Sequence, residues 1–155
     1  MSVFFLALCI GIAAGLRALT APALVSWAAH LGWLHLEGTP LALMGSTVAV
    51  AIFTLAALVE YATDTLPKTP ARTVPPQLIV RLITGGLSGA CVGLSGGTSW
   101  LVGAILGAIG VLVGTFGGYH LRKRLVAALN VKDILIAIPE DVVAIGLAYL
   151  TVSPR

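Results

Sequence analysis

The chain has 155 residues, of which 58% are hydrophobic and only 10% are charged, and its formal net charge is +3. Soluble domains average about 25% charged residues, and the few charges here cannot cover the surface of a 15.9 kDa globule. This composition excludes a soluble domain and predicts a protein that lies in a lipid bilayer. The basic residues form short clusters between apolar runs without any nucleic-acid-binding motif, so we expect no nucleic acid partner.

The first apolar stretch runs from Val3 to Leu34 and is longer than the roughly 20 residues that a straight helix needs to span the hydrocarbon. Its interior is interrupted by the segment Gly15–Pro22, in which Pro22 lacks the backbone donor that a helix interior requires. We therefore predict a break near residues 17–22, with Thr20 as the cap of the helix that follows. Two arrangements remain open: a broken helix that crosses once, or a hairpin that returns to its starting side.

Four more apolar segments follow, each long enough to span the bilayer as a helix. They lie at about residues 41–61, 78–94, 100–121 and 134–152. The sequence thus predicts an all-α, polytopic transmembrane bundle of about five segments, which forms a single domain over residues 1–155. The connections 63–77 and 122–133 are basic, so the positive-inside rule places both of them in the cytoplasm.

The last apolar segment contains Pro139, which is followed by Glu140 and Asp141. A proline in the first helical turn, with acids beside it, is a common helix start. We therefore predict that the last segment, like the first, is broken at proline. Either the apolar run Ile134–Ile138 still belongs to the span, or Pro139 opens a half-helix within the membrane.

Glycines recur at three- and four-residue spacing in the third and fourth segments. They are Gly85, Gly89, Gly93 and Gly97 in the third, and Gly103, Gly107, Gly110, Gly114 and Gly118 in the fourth. This spacing places glycines on one helix face, where backbones can approach closely, and predicts a glycine zipper, either within the chain or between the copies of a homo-oligomer. The glycine pairs 11/15 and 110/114 also raise the hypothesis of an inverted repeat, in which the first and fourth segments run in opposite directions.

Seven polar residues inside or beside the apolar segments form the predicted site for a small ion or solute. They are Arg17, Thr20, Glu60, Asp64, Arg81, Glu140 and Asp141. Charged groups are costly in hydrocarbon and therefore usually face a cavity or a partner. Alternatively, Glu60, Asp64 and Arg81 only extend to water at the nearby membrane boundary. In the proline-rich loop, Lys68 and Arg72 are candidates for contact with a lipid phosphate.

Several short motifs occur in a fixed order along the chain. They are Gly15–Ala23 (GLRALTAPA), Ser26–Ala28 (SWA), Leu66–Arg72 (LPKTPAR), Gly117–Tyr119 (GGY) and Glu140–Asp141 (ED). With these motifs, the chain resembles a family of small bacterial multi-span inner-membrane proteins that is known only as a domain of unknown function. The resemblance covers nearly the whole chain and implies a bacterial origin, an inner-membrane location and a multi-span fold. It implies no activity and no functional residues.

The leading functional hypothesis is a small membrane transporter or channel, in which the acids bind a cation or carry protons and the arginines balance them or bind an anionic group. The sequence contains no catalytic triad, phosphate-binding loop or dinucleotide fingerprint, which favours a non-enzymatic role without a cofactor. One alternative is an intramembrane lipid-modifying enzyme whose paired acids hold a metal ion. Another is a structural or assembly protein whose charges lock the helices together.

Overall fold

The computed structural model describes residues 1–64, 66 and 71–154, and all regular secondary structure among them is helical. The helices are α1 (Val3–Leu16), α2 (Thr20–His30), a short 3-10 helix (Ala42–Gly45), α3 (Thr47–Asp64), α4 (Pro75–Ser95), α5 (Trp100–Leu129) and α6 (Asp133–Val152). By length and apolar composition, α3, α4, α5 and α6 are each able to cross a membrane. The prediction of an all-α, multi-span bundle is confirmed.

The first apolar stretch is a helical hairpin rather than a single broken crossing. At one end, Val3 packs against Gly96 just beyond α4, and after α2 the backbone N–H of His35 donates to Ser95 Oγ at 3.0 Å. Both ends of the hairpin therefore lie beside the last turn of α4. Its tip, residues 17–19, lies at the other side of the bundle, near the end of α3 and the beginning of α4. Since the 14 residues of α1 measure only about 21 Å, this helix is shorter than the hydrocarbon thickness of about 30 Å.

The break between α1 and α2 occurs at residues 17–19, where Arg17 has an extended backbone with φ −138° and ψ 112°. Pro22 is the third residue of α2, a position whose N–H has no partner within the helix in any case. Proline is therefore tolerated there, and the chain has already turned before it. The predicted role of Thr20 as a cap is wrong, because Thr20 is the first residue of α2 and its hydroxyl bonds to Tyr61 instead.

Close approach of glycine backbones joins α1, α4 and α5. A Cβ added at Gly103 of α5 would overlap the carbonyl oxygen of Gly89 in α4 and lie 3.1 Å from Cα of Gly93. A Cβ added at Gly11 of α1 would likewise overlap the carbonyl group of Gly107. Only glycine leaves room for backbones at this spacing. The three helices therefore pack closely together and form the centre of the bundle.

The direction of α1 relative to α5 excludes the proposed inverted repeat between them. Gly11 faces Gly107 and Gly110, whereas Gly15 faces Gly114 and Thr115. Residue numbers rise together along the two helices, so α1 and α5 are parallel. The prediction that they run in opposite directions is wrong because it counted the first stretch as one crossing, whereas the hairpin contributes two helices.

The last segment is not broken at its proline. Helix α6 is continuous over Asp133–Val152, with Pro139 in its interior. Proline removes one backbone donor from the helix, but a full break would leave several backbone groups without partners, which is more costly in a membrane. The alternative in which the run Ile134–Ile138 belongs to the span is therefore the arrangement that the protein adopts.

The basic connection predicted at residues 122–133 is largely helical. Helix α5 continues through Leu129 and ends at Asn130, whose left-handed backbone has φ 48° and ψ 44°. Asparagine is one of the few residues that tolerate this conformation at a helix end. Residues 122–129 therefore extend α5 beyond the predicted span, and Arg122 is held on a helix rather than in a loop.

Candidate functional site

The carboxyl end of α1 is held by an arginine from α4. Arg81, which is only 3% exposed, donates from Nη1 to the carbonyl oxygen of Gly15 at 2.8 Å and to that of Ala14 at 3.4 Å. The hydroxyl of Thr115 also donates to Gly15, at 3.2 Å. The last carbonyls of a helix have no partners within it and carry partial negative charge. The guanidinium of Arg81 therefore satisfies the open end of α1.

The amino end of α2 is held by a carboxylate from α3. Glu60 accepts hydrogen bonds from the backbone N–H groups of Ala18 at 2.8 Å and Leu19 at 2.9 Å. Its Oε1 also lies 3.9 Å from Nη2 of Arg81. N–H groups at the start of a helix carry partial positive charge. The carboxylate of Glu60 therefore stabilises the start of α2, as the guanidinium of Arg81 stabilises the end of α1.

Arg17 lies at the tip of the hairpin and is only 4% exposed. Its guanidinium forms ion pairs with Asp64 at the end of α3 and with Asp141 in α6. It also lies over the ring of Tyr61, with Cζ 4.8 Å from the ring centroid. Arg17 thus connects the tip to two further helices through contacts that are far apart in sequence.

Glu140, which follows Pro139 in α6, holds a second group of charges. It forms an ion pair with Arg72, in which Arg72 Nη2 donates to Glu140 Oε2 at 3.0 Å. Arg122 Nη1 donates to the same carboxylate oxygen at 3.2 Å, and Arg122 Nε donates to Asp133 at 2.8 Å. Charges from α5, α6 and the loop before α4 are therefore linked at this end of the bundle.

A pocket of about 510 Å³ opens among these charged side chains. It lies between the ends of α3 and α5 and the beginnings of α4 and α6. The charged residues in its lining are Asp64, Arg72, Arg81, Arg122, Lys123 and Asp133. Among the described lining residues, four of these side chains are cationic and two are acidic, and Glu140 pairs with Arg72 and Arg122 from outside the lining. We call this cavity the basic pocket.

A second cavity, of about 350 Å³, lies between α5 and α6 beside the end of α1. Its lining is almost entirely apolar and includes Leu121, Leu125 and Val143, while Arg122 and Glu140 form its polar edge. Arg122 lines both this cavity and the basic pocket. We call the second cavity the apolar groove.

The structure brings all seven predicted ion- or solute-site residues to the end of the bundle that contains the hairpin tip. Thr20 takes part only through its hydroxyl, which lies 2.9 Å from that of Tyr61. Of the two predicted lipid-phosphate residues, Arg72 lines the basic pocket, whereas Lys68 lies outside the described residues. Sequence reasoning missed Arg122 and Asp133 as members of the network, since their only local signal was a basic cluster near a segment end.

A family model described as a domain of unknown function, DUF4126, matches residues 4–153. The chain belongs to the DUF4126 family. The predicted membership of a family known only as a domain of unknown function is thereby confirmed. Neither a curated protein nor a solved structure matches the DUF4126 chain.

The charged side chains of the site in this DUF4126 chain are largely paired with one another. Each of the carboxylates of Glu140, Asp141 and Asp64 faces an arginine, although Asp64 and Asp141 share Arg17. Arg81 also lines the basic pocket. It lies 3.9 Å from Glu60, and its buried Nε has no hydrogen-bond partner among the described residues. Arg72 and Arg122 pair with Glu140 and Asp133. Lys123, which is exposed and forms no ion pair with a described residue, is therefore the lining side chain most open to an anion.

Proposed function

We propose that the chain is a small membrane transporter and that an anionic solute enters it through the basic pocket. The observation that carries this proposal is the position of Arg81, a buried arginine at the wall of a cavity between helices. Ionisable residues within membrane segments are rare, and they commonly mark solute pathways. The size of the pocket, about 510 Å³, lies within the range of small-molecule sites.

The break between α1 and α2 supports transport over a purely structural role. Transporter sites are often built where helices are interrupted, because the freed backbone groups there can be exchanged between partners. Here the freed groups of Gly15, Ala18 and Leu19 are held by Arg81 and Glu60 rather than by their own helices. In the proposed mechanism, an anion that contacts Arg81 competes with these backbone partners and shifts the hairpin tip.

The sequence predicts on which side of the membrane the basic pocket lies. The basic end of the bundle faces the cytoplasm of a bacterial cell, in accordance with the positive-inside rule. The close glycine contacts of α1, α4 and α5 act as a glycine zipper that keeps these helices rigid while the tip moves. A homo-oligomer would be formed through the lipid-facing surfaces of other helices, such as α3.

The test is solute uptake by the purified protein in liposomes, with radiolabelled phosphate, sulfate and short dicarboxylates as probes. We expect uptake of at least one anion above that of protein-free liposomes. Arg81→Gln should reduce it about tenfold or more, since a hydrogen bond to a charged group contributes roughly 1.5–3 kcal/mol. Lys123→Gln, at an exposed position in the pocket lining, provides a second variant that does not disturb α1.

The matched control is Arg124→Gln, which removes the same charge from the same turn of α5 at an exposed residue that is not part of the pocket lining. Its uptake should stay close to that of the unmodified chain. Failure of every anion to enter above the protein-free level would refute the transport proposal. Equal loss in Lys123→Gln and Arg124→Gln would instead refute the role of the basic pocket.

A structural role is the second candidate, and the pairing of Asp64, Glu140 and Asp141 with arginines favours it. In that case the charges serve only to hold α1, α3 and α6 together. The chain would then be stable and inert, with no solute uptake under any gradient. The lipid-modifying enzyme has less support, because the acids that would hold its metal ion face guanidinium groups.

A further inference from the structure

We propose that the anionic solute is a phospholipid, whose headgroup phosphate lies in the basic pocket while one acyl chain lies in the apolar groove. This inference rests on the proposed function, because it names the class of substrate that the same site would take. The observation behind it is that a cationic cavity and an apolar cavity lie side by side and share Arg122.

The shared arginine fixes where the two parts of such a molecule would meet. Arg122 has its guanidinium between Asp133 on the side of the pocket and Glu140 on the side of the groove. A phosphate group next to Arg122 would leave the glycerol and acyl portions to continue along α5 and α6. A small inorganic anion would fill only the pocket and would make no use of the groove.

The lining of the groove suits a hydrocarbon chain. Leu121 and Val143 are 59% and 57% exposed, so the groove opens toward the surface that the bilayer covers. Pro139 also lines it, and the ring adds apolar surface where α6 lacks one backbone donor. A chain from the bilayer can therefore enter sideways without passing through water, as the amphiphilic character of a lipid requires.

The charge of the pocket selects among lipids. Among the described lining residues, four side chains are cationic and two are acidic, and exposed Lys123 forms no ion pair with any residue that the structure describes. An anionic headgroup such as that of phosphatidylglycerol is attracted by the open charge of Lys123, whereas the quaternary ammonium of phosphatidylcholine is repelled by it. Basic pockets between membrane helices bind anionic headgroups for the same reason.

The experiment measures binding of fluorescent phosphatidylglycerol to the purified full chain in a neutral detergent, with phosphatidylcholine and inorganic phosphate as competing probes. We expect unlabelled phosphatidylglycerol to compete at least about tenfold better than either of them, which corresponds to about 1.4 kcal/mol. Lys123→Gln should weaken binding through the pocket, and Val143→Trp should weaken it by filling the groove.

Each variant has a neighbour that serves as its control. Arg124→Gln removes an equivalent charge outside the pocket lining, and Val142→Trp places the same bulk at a 65% exposed residue that is not part of the groove lining. Binding by both controls should stay within about twofold of the unmodified chain, as is usual for surface substitutions away from a site. Equal losses in Val142→Trp and Val143→Trp, or equal competition by the two lipids, would overturn the inference.

The failure of this inference can be distinguished from failure of the transport proposal. If phosphate competes as well as phosphatidylglycerol and Val143→Trp has no effect, the pocket binds a free anion and the lipid assignment is wrong, while anion uptake can still occur. If the lipid binds as expected but neither it nor any anion crosses the liposome membrane, the transport proposal is wrong and the lipid site stands.

Discussion

Glu60 and Arg81 hold the two helix ends at the break between α1 and α2, and their signs match those ends. Glu60 accepts from the N–H groups at the start of α2, and Arg81 donates to the carbonyls at the end of α1. The two side chains also lie 3.9 Å apart at their closest charged atoms. The sign of the charge at each position is therefore set by the backbone groups that it faces as well as by the other side chain.

This arrangement predicts that exchanging the two charges does not restore stability. The double variant Arg81→Glu with Glu60→Arg keeps an ion pair but places a carboxylate against carbonyls and a guanidinium against N–H groups. We expect it to unfold at a temperature at or below that of either single variant, because disrupting a buried pair costs roughly 3–5 kcal/mol. Thermal unfolding in detergent measures this, with the exposed Glu37→Arg as a neutral control. Recovery to the stability of the unmodified chain would show that only the side-chain pair matters.

At the scale of helices, glycine determines how closely α4 and α5 pack. The spacing of these glycines is visible in the sequence, and so is the helix break that contains Arg17. The partners of each glycine are not visible, because a pattern on one helix face does not say which neighbour faces it. The continuity of α6 could not be predicted either, since the cost of breaking a helix at Pro139 depends on the surroundings of the backbone groups that a break would free.

Two glycines of α5 provide a matched test of this packing. Gly103→Ala should strongly destabilise the protein, because its Cβ would overlap the carbonyl oxygen of Gly89. Gly117→Ala should be neutral or stabilising by about 0.5–1 kcal/mol, since no atom lies within 4 Å of the added Cβ and alanine is the better helix former. Unfolding of both variants in detergent compares them directly. Equal stabilities would exclude close α4–α5 packing around Gly103.

At the scale of the whole molecule, the hairpin decides on which side of the membrane each end of the chain lies. With α1 and α2 counted as two helices, the N-terminus, the turn after α4 and the end of α6 lie on one side, and the connections after α3 and α5 lie on the other. The sequence alone left the side of the N-terminus open, because the first stretch is too long for one span and short for two. The same long-range geometry joins Arg17 to Asp64 and Asp141, contacts that no local pattern indicates.

This topology predicts the labelling of single cysteines by a membrane-impermeant maleimide in oriented vesicles. Ser2→Cys and Ser99→Cys should react from one side, and Lys132→Cys should react from the opposite side. The natural Cys9 and Cys91 are buried, at 8% and 0% exposure, so they should contribute little background, which the unmodified chain measures. Reaction of Ser2→Cys from the same side as Lys132→Cys would mean that the first stretch crosses only once.

The hairpin tip also has a consequence for biosynthesis. The backbone groups at its bend are satisfied by Glu60 and Arg81, which the ribosome makes long after α1 and α2. Until α3 and α4 emerge, the bend would expose unpaired backbone groups and the charge of Arg17 to lipid, which membrane segments avoid. We therefore expect the nascent hairpin to stay in an aqueous or protein-lined environment, such as an insertion channel, until α3 and α4 have been made. In that case, the first four helices would enter the bilayer together rather than one by one.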